Sequence, residues 1–428
     1  MKKLFNSSYV SRASQALVLL MMLFGRSFTG TYLFGFRIGE IIIGVSILFS
    51  FYFLFIYFKN GEKINKLFLL LILHTIFNHF YVSGFNLDLY FFRSSSYIWI
   101  ISIFFVYKHF KMELLSLRTG FFILFFVYFL NEIYFPDSIA NFFLNNSDKF
   151  EYLKAADIFI IYLTVVYICK PYFSSNKVYL NFILYSLAMF MPMLIFRSKG
   201  SFFGSVIFFV IILIFYLKEY FLSRNNLIHL IAISIVFFIS SFLVYGNLSF
   251  DKGDLNIEDE SYNIISNLNK IDEIVESKNT TEIFFSFYTK ENRLYSTDVT
   301  ANWRLQIWQD IFSNAIKNNH YFYGFGYKEI LPSMDDPERI GSDGLNENPH
   351  NFLIYILGRG GLLQVFLILA FYFELYSIAK RKNITREFLL YTIPLIFVSL
   401  FDGSMESVRF PFLFYAALGY SFRSIKNE

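Results

Sequence analysis

Two residues of this chain, His350 and Arg304, are the ones best suited to chemistry, and both sit near the end of one long polar stretch. Between Phe250 and Pro349 lie roughly a hundred mostly polar residues flanked by hydrophobic spans, and the stretch closes on Asn348-Pro349-His350-Asn351, where apolar sequence resumes. A neutral imidazole with an ordinary pKa of about 6.5 can take the proton of an attacking hydroxyl at neutral pH. A guanidinium fork can neutralise the charge that grows on an anionic leaving group, with no metal needed. Further cations stand at Arg197 and Lys199, in Phe196-Arg197-Ser198-Lys199-Gly200-Ser201, and at Arg359 and Arg409. Cations followed by a small-residue helix start make an anion site, because the free amides of a helix N-terminus face the ligand. A pair of lipid-headgroup anchors is the competing reading of the same turn, at even weight.

These residues must be positioned by a membrane protein. The chain is 56% hydrophobic, 22% aromatic and only 16% charged, with 60 Phe, far more apolar surface than a water-soluble domain can bury. A span needs about 20 apolar residues, and about twelve candidates follow from that length. Before the polar stretch they are Gln15 to Phe24, Ile38 to Phe58, Leu67 to Val82, Leu89 to Tyr107, Gly120 to Phe135, Ala156 to Tyr172, Val178 to Phe196, Phe202 to Leu217 and Leu227 to Tyr245; after it, Leu353 to Ala379, Phe388 to Phe401 and Phe410 to Phe422. The expected fold is an all-α polytopic integral membrane protein with about twelve transmembrane helices and one large extracytoplasmic loop that contains helices. Its expected divisions are residues 1–245, 246–349 and 350–428: a membrane domain, the loop, and a second membrane segment.

Orientation follows from Lys and Arg bias. With Lys2 and Lys3 inside, alternate turns hold Lys59, Lys63 and Lys66, then Lys108, Lys111 and Arg118, then Lys170 and Lys177, then Lys218 and Arg224, then Lys380, Arg381, Lys382 and Arg386. The same parity puts the large loop and the turn from Asp402 to Glu406 outside. The net charge of +4 therefore reports topology and argues for no nucleic-acid partner. In the turn around Arg26 and Arg37, Glu40 is the nearby partner in sequence. The Arg197/Lys199 turn has no acid beside it, and an unpaired cation near the membrane costs on the order of 3 kcal/mol on insertion scales.

Cys169 is the lone cysteine, so the loop holds neither a disulfide nor a thiol nucleophile. No zinc spacing, Walker loop or EF-hand pattern is present, and the reading includes no metal and no cofactor. Within the loop, Tyr262 to Ser277 has an amphipathic stripe, and Asn302 to Asn318 is a stronger helix, with Asn302 as its cap and Leu305, Trp308, Ile311, Phe312 and Ala315 on one face. Arg304 then falls in a first turn, against the helix dipole, a mild hint of function.

Arg304 with Trp308, then Gly324-Phe325-Gly326, then His350-Asn351 with Leu357 and Gly361, resembles the loop-to-membrane segment of the O-antigen polymerase and O-antigen ligase superfamily. The resemblance covers roughly residues 190 to 410, since Ser198-Lys199-Gly200-Ser201 lies where such proteins carry Ser-Arg-Gly and Asp402 occupies the turn between the last two spans. Lys199 replaces the family's Arg, which removes bidentate phosphate binding there unless Arg197 supplies it. Gln364 stands where a further glycine is common; Gly358, Gly360 and Gly361 offer close packing or a helix break from a shifted position.

The resemblance implies metal-independent glycosyl transfer from an undecaprenyl-pyrophosphate-linked oligosaccharide to a sugar hydroxyl, at the periplasmic face of the bacterial inner membrane. It implies His350 as general base or acceptor orienter, Arg304 and the Arg197/Lys199 turn as pyrophosphate ligands, and Asp402 as an orienter of His350 or a sugar hydroxyl. Asn351 is a supporting hydrogen bonder. Arg359 and Arg409 either snorkel to the interface or touch the lipid phosphate. Membrane lipids are partners, with a chain-length regulator and a flippase of the same pathway. A lone histidine at a helix start is more often a cap than a catalyst, and Trp303, Trp308 and His320 are read as packing residues. Three functions stay open: polymerase, preferred on the long loop start and the glycine-rich helix after His350; ligase; and flippase, against which the large loop argues.

Overall fold

Apolar runs become helices in hydrocarbon because each backbone amide must find its partner inside its own segment. The computed structural model describes residues 8–57, 61–84, 88–110, 112–217, 226–250, 287–335, 339 and 347–423. Ser8–Thr29 (α1) leads through the two-stranded hairpin Tyr32–Leu33 (β1) and Phe36–Arg37 (β2) to Ile38–Tyr57 (α2) and Lys63–Ser83 (α3). Leu89–Ser94 (α4), Ser96–Trp99 (α5) and Ser102–His109 (α6) follow, then Leu117–Tyr128 (α7), which runs into a π turn at Phe129–Ile133. Asp137–Asn146 (α8) leaves that turn at 90°. Ala155–Cys169 (α9), Asn176–Arg197 (α10), Lys199–Tyr216 (α11) and Leu227–Phe250 (α12) complete the first part of the chain. After it come the antiparallel hairpin Phe287–Lys290 (β3) and Arg293–Ser296 (β4), Val299–Lys317 (α13), Phe352–Arg381 (α14), Thr385–Ser399 (α15) and Arg409–Phe422 (α16).

This is an all-α polytopic membrane protein. Among the described residues, eight helices are long and apolar enough to cross a membrane, or nine if the bent pair of α7 and α8 is one span. The burial pattern fits a hydrocarbon solvent: the span Leu227–Tyr245 is the most apolar of the eight, yet only 11% of its window is buried, against 83% for Ala155–Tyr172. In water the order would be reversed. Each expected span overlaps helix among the described residues, but Leu89 to Tyr107 is divided among α4, α5 and α6, Gly120 to Phe135 ends in the π turn, and α15 and α16 run only 15 and 14 residues, so the count of twelve is not reached by length and composition. The expected amphipathic helix Tyr262 to Ser277 and the first part of the polar stretch lie outside the described residues, as do Lys2, Lys3, Lys59, Lys111, Lys218 and Arg224.

The chain forms two compact units. One comprises Met1–Leu69, Ser96–Asp254 and Phe371–Glu428; the other comprises Leu70–Ser95 and Leu255–Ala370, the divisions falling inside α3 and α14. At the centre of the larger unit every residue of α9 is buried, as expected for a helix apolar on all sides. Small residues let its helices close up: a Cβ on Gly419 of α16 would lie 2.3 Å from the Phe104 carbonyl oxygen on α6, and one on Gly204 of α11 would lie 2.4 Å from Val398 Cγ2 on α15. In the smaller unit β4 packs on α13, where the Gln306 and Gln309 amides donate to the Leu294 carbonyl and the Asn302 side chain accepts from the Ser296 amide. The cap of α13 is therefore Asp298, whose carboxylate accepts from the Ala301 amide, and Asn302 ties the helix to β4 instead. The cap lies four residues earlier than the sequence suggests, and Arg304 is in the second turn. The helix-dipole argument for Arg304 lapses, since that effect fades beyond the first turn.

Candidate functional site

In the smaller unit α13 carries Trp303, Arg304 and Trp308, and the start of α14 carries His350 and Asn351. Trp308 lies one helical turn after Arg304, so the two share a face. Its indole Nε1 donates to the Pro349 carbonyl at 2.7 Å, fixing the residue before the histidine. The Trp303 ring stands 5.6 Å from the His350 ring, centroid to centroid, at 59°. His350 is thus brought beside the helix that bears Arg304. It also has φ 51°, in the left-handed region that few non-glycine residues occupy, histidine more readily than most. Strain of this kind persists only where surrounding contacts over-determine it, and it clusters at functional sites. Asn351 explains part of it: its side chain accepts from the Ile354 amide at 3.1 Å and its carbonyl from the Tyr355 amide at 2.8 Å, making it the cap of α14. Cap and indole together hold the imidazole at the head of the span. The sequence reads the two tryptophans as packing residues, and the structure places them against His350 and Pro349.

Arg359 lies two and a half turns further along α14 and is 1% exposed. Its guanidinium donates to the carbonyls of Gly326 and Glu329 and to the Tyr90 hydroxyl, and it lies over the rings of Tyr90 and Tyr355 at 5.5 and 5.3 Å. His320 packs on Phe325 at 4.9 Å, as expected of a packing residue.

The larger unit holds Arg197, Lys199, Asp402 and Arg409. Arg197 ends α10, the single residue Ser198 joins it to α11, and the Ser198 hydroxyl accepts from the Ser201 amide. Lys199 therefore opens α11, as the sequence suggests. A Cβ on Gly200 would lie 3.0 Å from Phe401 Cβ, which puts this turn against the residue before Asp402. The expectation that no acid balances the turn is corrected: Arg197 pairs with Glu132 of the π turn at 2.7 Å and also donates to the carbonyls of Asn131 and Leu153. The partner lies 65 residues upstream and has no local signature.

Arg409 donates from Nε to both oxygens of Asp157 at 2.8 Å, and Asp402 adds its field. Gly25, at φ 49°, kinks α1 against this pair; a Cβ there would lie 3.8 Å from Asp157 Oδ2. Nearby, Arg37 binds Glu40 as expected and also Asp148, each at 2.9 Å, while Arg26 approaches Asp148 and Glu151. Burial pushes the Glu151 carboxyl up, but Lys154, Arg409, Arg26 and Lys149 outweigh it and hold the group below its ordinary value. Removing one member of a buried pair strands the other charge at a cost of roughly 3–5 kcal/mol. Asp157→Ala is accordingly expected to lower the thermal midpoint in detergent sharply, and Asp157→Ala with Arg409→Met to recover most of it. Equal midpoints for wild type and Asp157→Ala would show the pair to be idle.

Among the described residues no group of three or more His, Cys, Asp or Glu is placed to hold a metal ion. Fold and site define a class: a polytopic helical membrane protein whose loop helix supports a strained histidine at the head of a span. Within that class, a family profile described as O-antigen ligase matches residues 184–369. The match is consistent with the resemblance to the O-antigen polymerase and ligase superfamily; the segment contains Arg197, Lys199, Arg304, His350, Asn351 and Arg359 and ends before Asp402 and Arg409. The matching family covers membrane glycosyltransferase-like enzymes, ligases and polymerases both. No curated protein matches the chain.

Proposed function

We propose that the protein is an O-antigen polymerase, transferring a glycan chain from undecaprenyl pyrophosphate onto a lipid-linked repeat unit at the periplasmic face of the bacterial inner membrane. The observation that carries this reading is the left-handed His350, set between the α14 cap and the tryptophans that flank Arg304. In the proposed step the acceptor hydroxyl oxygen attacks the anomeric carbon and the bond from that carbon to the pyrophosphate oxygen breaks. His350 takes the hydroxyl proton, and Arg304 neutralises the departing pyrophosphate. No metal enters the step. In the larger unit, the Lys199 turn is proposed as a phosphate-binding helix start fixed by the Arg197–Glu132 pair, with Asp402 as an acceptor for a substrate hydroxyl.

The ligase is the second reading, favoured by the name of the matching family, with lipid A core as the acceptor. Reconstitution separates them. Purified protein in proteoliposomes, given an undecaprenyl-pyrophosphate-linked repeat unit and a chelator, is expected to produce a ladder of lengthened lipid-linked chains. Transfer only when lipid A core is added would make it the ligase. Movement of the unit across the bilayer with no new bond would make it the flippase.

A further inference from the structure

We propose that Arg359 is a positioning residue: it clamps the turn from Tyr321 to Glu329 onto a break in α14, and the clamp sets the attitude of the helix start that carries His350. The break is at Gly361, where φ is 69° and ψ is −171°. An interrupted helix in a membrane protein leaves backbone groups that something must satisfy. Here the turn does so in both directions. Phe325 and Gly326 donate their amides to the carbonyls of Gly358 and Arg359 at 2.7 and 2.9 Å, while Leu362 and Leu363 donate to the carbonyls of Tyr321 and Phe322 at 2.9 and 3.3 Å.

The approach is so close that neither strand of it tolerates a side chain. A Cβ on Gly324 would lie 2.5 Å from the Arg359 carbonyl oxygen, and one on Gly361 would lie 2.1 Å from the Phe322 carbonyl oxygen. Arg359 closes the arrangement with both its main chain and its side chain. Its carbonyl also accepts from the Asn78 amide of α3 at 3.0 Å, and its guanidinium reaches Gly326, Glu329 and Tyr90 between two aromatic faces. Four segments of the smaller unit therefore meet on one residue. Its side-chain partners are carbonyls, a hydroxyl and ring faces, which hold a cation without cancelling its charge. The guanidinium is only 1% exposed, with both terminal nitrogens bonded in this way and Nε alone left without a hydrogen-bond partner, and this burial assigns it to positioning rather than to substrate contact. What it can transmit is geometry, since the helical segment from Phe352 to Gly360 runs directly from the clamp to His350, and displacing a reacting group by about 1 Å costs on the order of a hundredfold in rate.

The inference rests on the proposed transfer for its catalytic half, and one set of measurements separates the two. Arg359→Met, Arg359→Lys and Tyr90→Phe are compared with wild type in the proteoliposome assay, with undecaprenyl pyrophosphate as a competitive inhibitor and with amide hydrogen exchange over residues 321–326. Arg359→Met is expected to lose about tenfold or more in kcat, with KM for the donor and the inhibition constant within about twofold of wild type. Arg359→Lys is expected not to rescue it, because an ammonium cannot reach two carbonyls and a phenol together. Exchange over 321–326 is expected to accelerate in both. Tyr90→Phe, which keeps the ring and deletes one bond, is expected to lose about threefold in kcat, and it decides the matter if the arginine variants do not accumulate. Unchanged exchange overturns the clamp, and so does unchanged kcat in Tyr90→Phe when the arginine variants are missing. An inhibition constant weakened about tenfold in Arg359→Met would make Arg359 a phosphate ligand instead. A wild-type protein that transfers nothing sinks the proposed function, while the exchange data still judge the clamp.

Discussion

Arg304→Ala is expected to reduce glycosyl transfer by roughly a hundredfold to a thousandfold, the usual loss when one preorganised donor to a developing oxyanion is removed. Arg304→Lys is expected to recover little of it, because a single ammonium replaces a planar fork that matches two phosphate oxygens at once. The geometry behind this is specific. Arg304 lies on α13 beside Trp303, whose ring meets His350, and one turn before Trp308, whose indole holds Pro349. In the proposed step, a guanidinium at that place serves the leaving group of the same reaction in which His350 serves the attacking hydroxyl. The measurement is initial transfer rate at matched protein levels, with KM for the lipid-linked donor determined in parallel. Since the charge on the pyrophosphate grows as the bond breaks, the loss is expected mainly in kcat. Full activity in Arg304→Ala would mean that the residue only packs the helix against its neighbours.

How much of this was legible in the sequence divides along a physical line between local and long-range information. Hydropathy over a window of about 20 residues finds the spans, because each is a continuous apolar run whose length the bilayer sets. It does not see where the backbone pairing breaks. Leu89 to Tyr107 reads as one run and is three short helices, and the buried Ser94, Ser95 and Ser96 lie at the first of those junctions. The break in α14 was legible, since Gly358, Gly360 and Gly361 crowd one turn. Its partner, the turn at Tyr321 to Gly326, was not. The sequence marks the glycines but carries no trace of which carbonyls they admit.

Charges divide the same way. Glu40 is three residues from Arg37, and the pair forms as expected. Glu132 is a sequence-distant partner of Arg197, so that cation looked unbalanced until the π turn delivered its acid. Asp157 and Arg409, 252 residues apart, were equally illegible as a pair. The cap of α13 failed for a smaller reason: Asn302 and Asp298 are both good caps, and only the tie from Asn302 to β4 decides between them. For the site itself, the polar-to-apolar boundary marks His350 at once, because a histidine there stands where polar chain gives way to a membrane span. Its left-handed backbone and its aromatic supports come from contacts across tens of residues, which no local pattern encodes.

His350→Ala, expressed in a strain deleted for the gene, is expected to stop chain lengthening while surface lipopolysaccharide still carries a core capped by one repeat unit. Without an imidazole to take its proton, the acceptor hydroxyl attacks as a neutral alcohol, and losing a positioned general base costs roughly a hundredfold to ten-thousandfold. Lengthening needs that attack at every cycle, so even the smaller loss removes long chains from the ladder. A separate ligase still moves the single unit to the core, and capping survives. Were this protein the ligase, the same substitution would leave the core bare and long polymer would collect on undecaprenyl pyrophosphate; a flippase defect would leave single lipid-linked units on the cytoplasmic face. Folding is controlled by protein level and by a His350→Asn variant, since asparagine accepts the left-handed backbone that histidine adopts at φ 51° but cannot take the proton. Loss of lengthening in both variants assigns the role to the imidazole. A normal ladder from His350→Asn would assign the residue to the turn alone, and the general base would then have to be sought elsewhere.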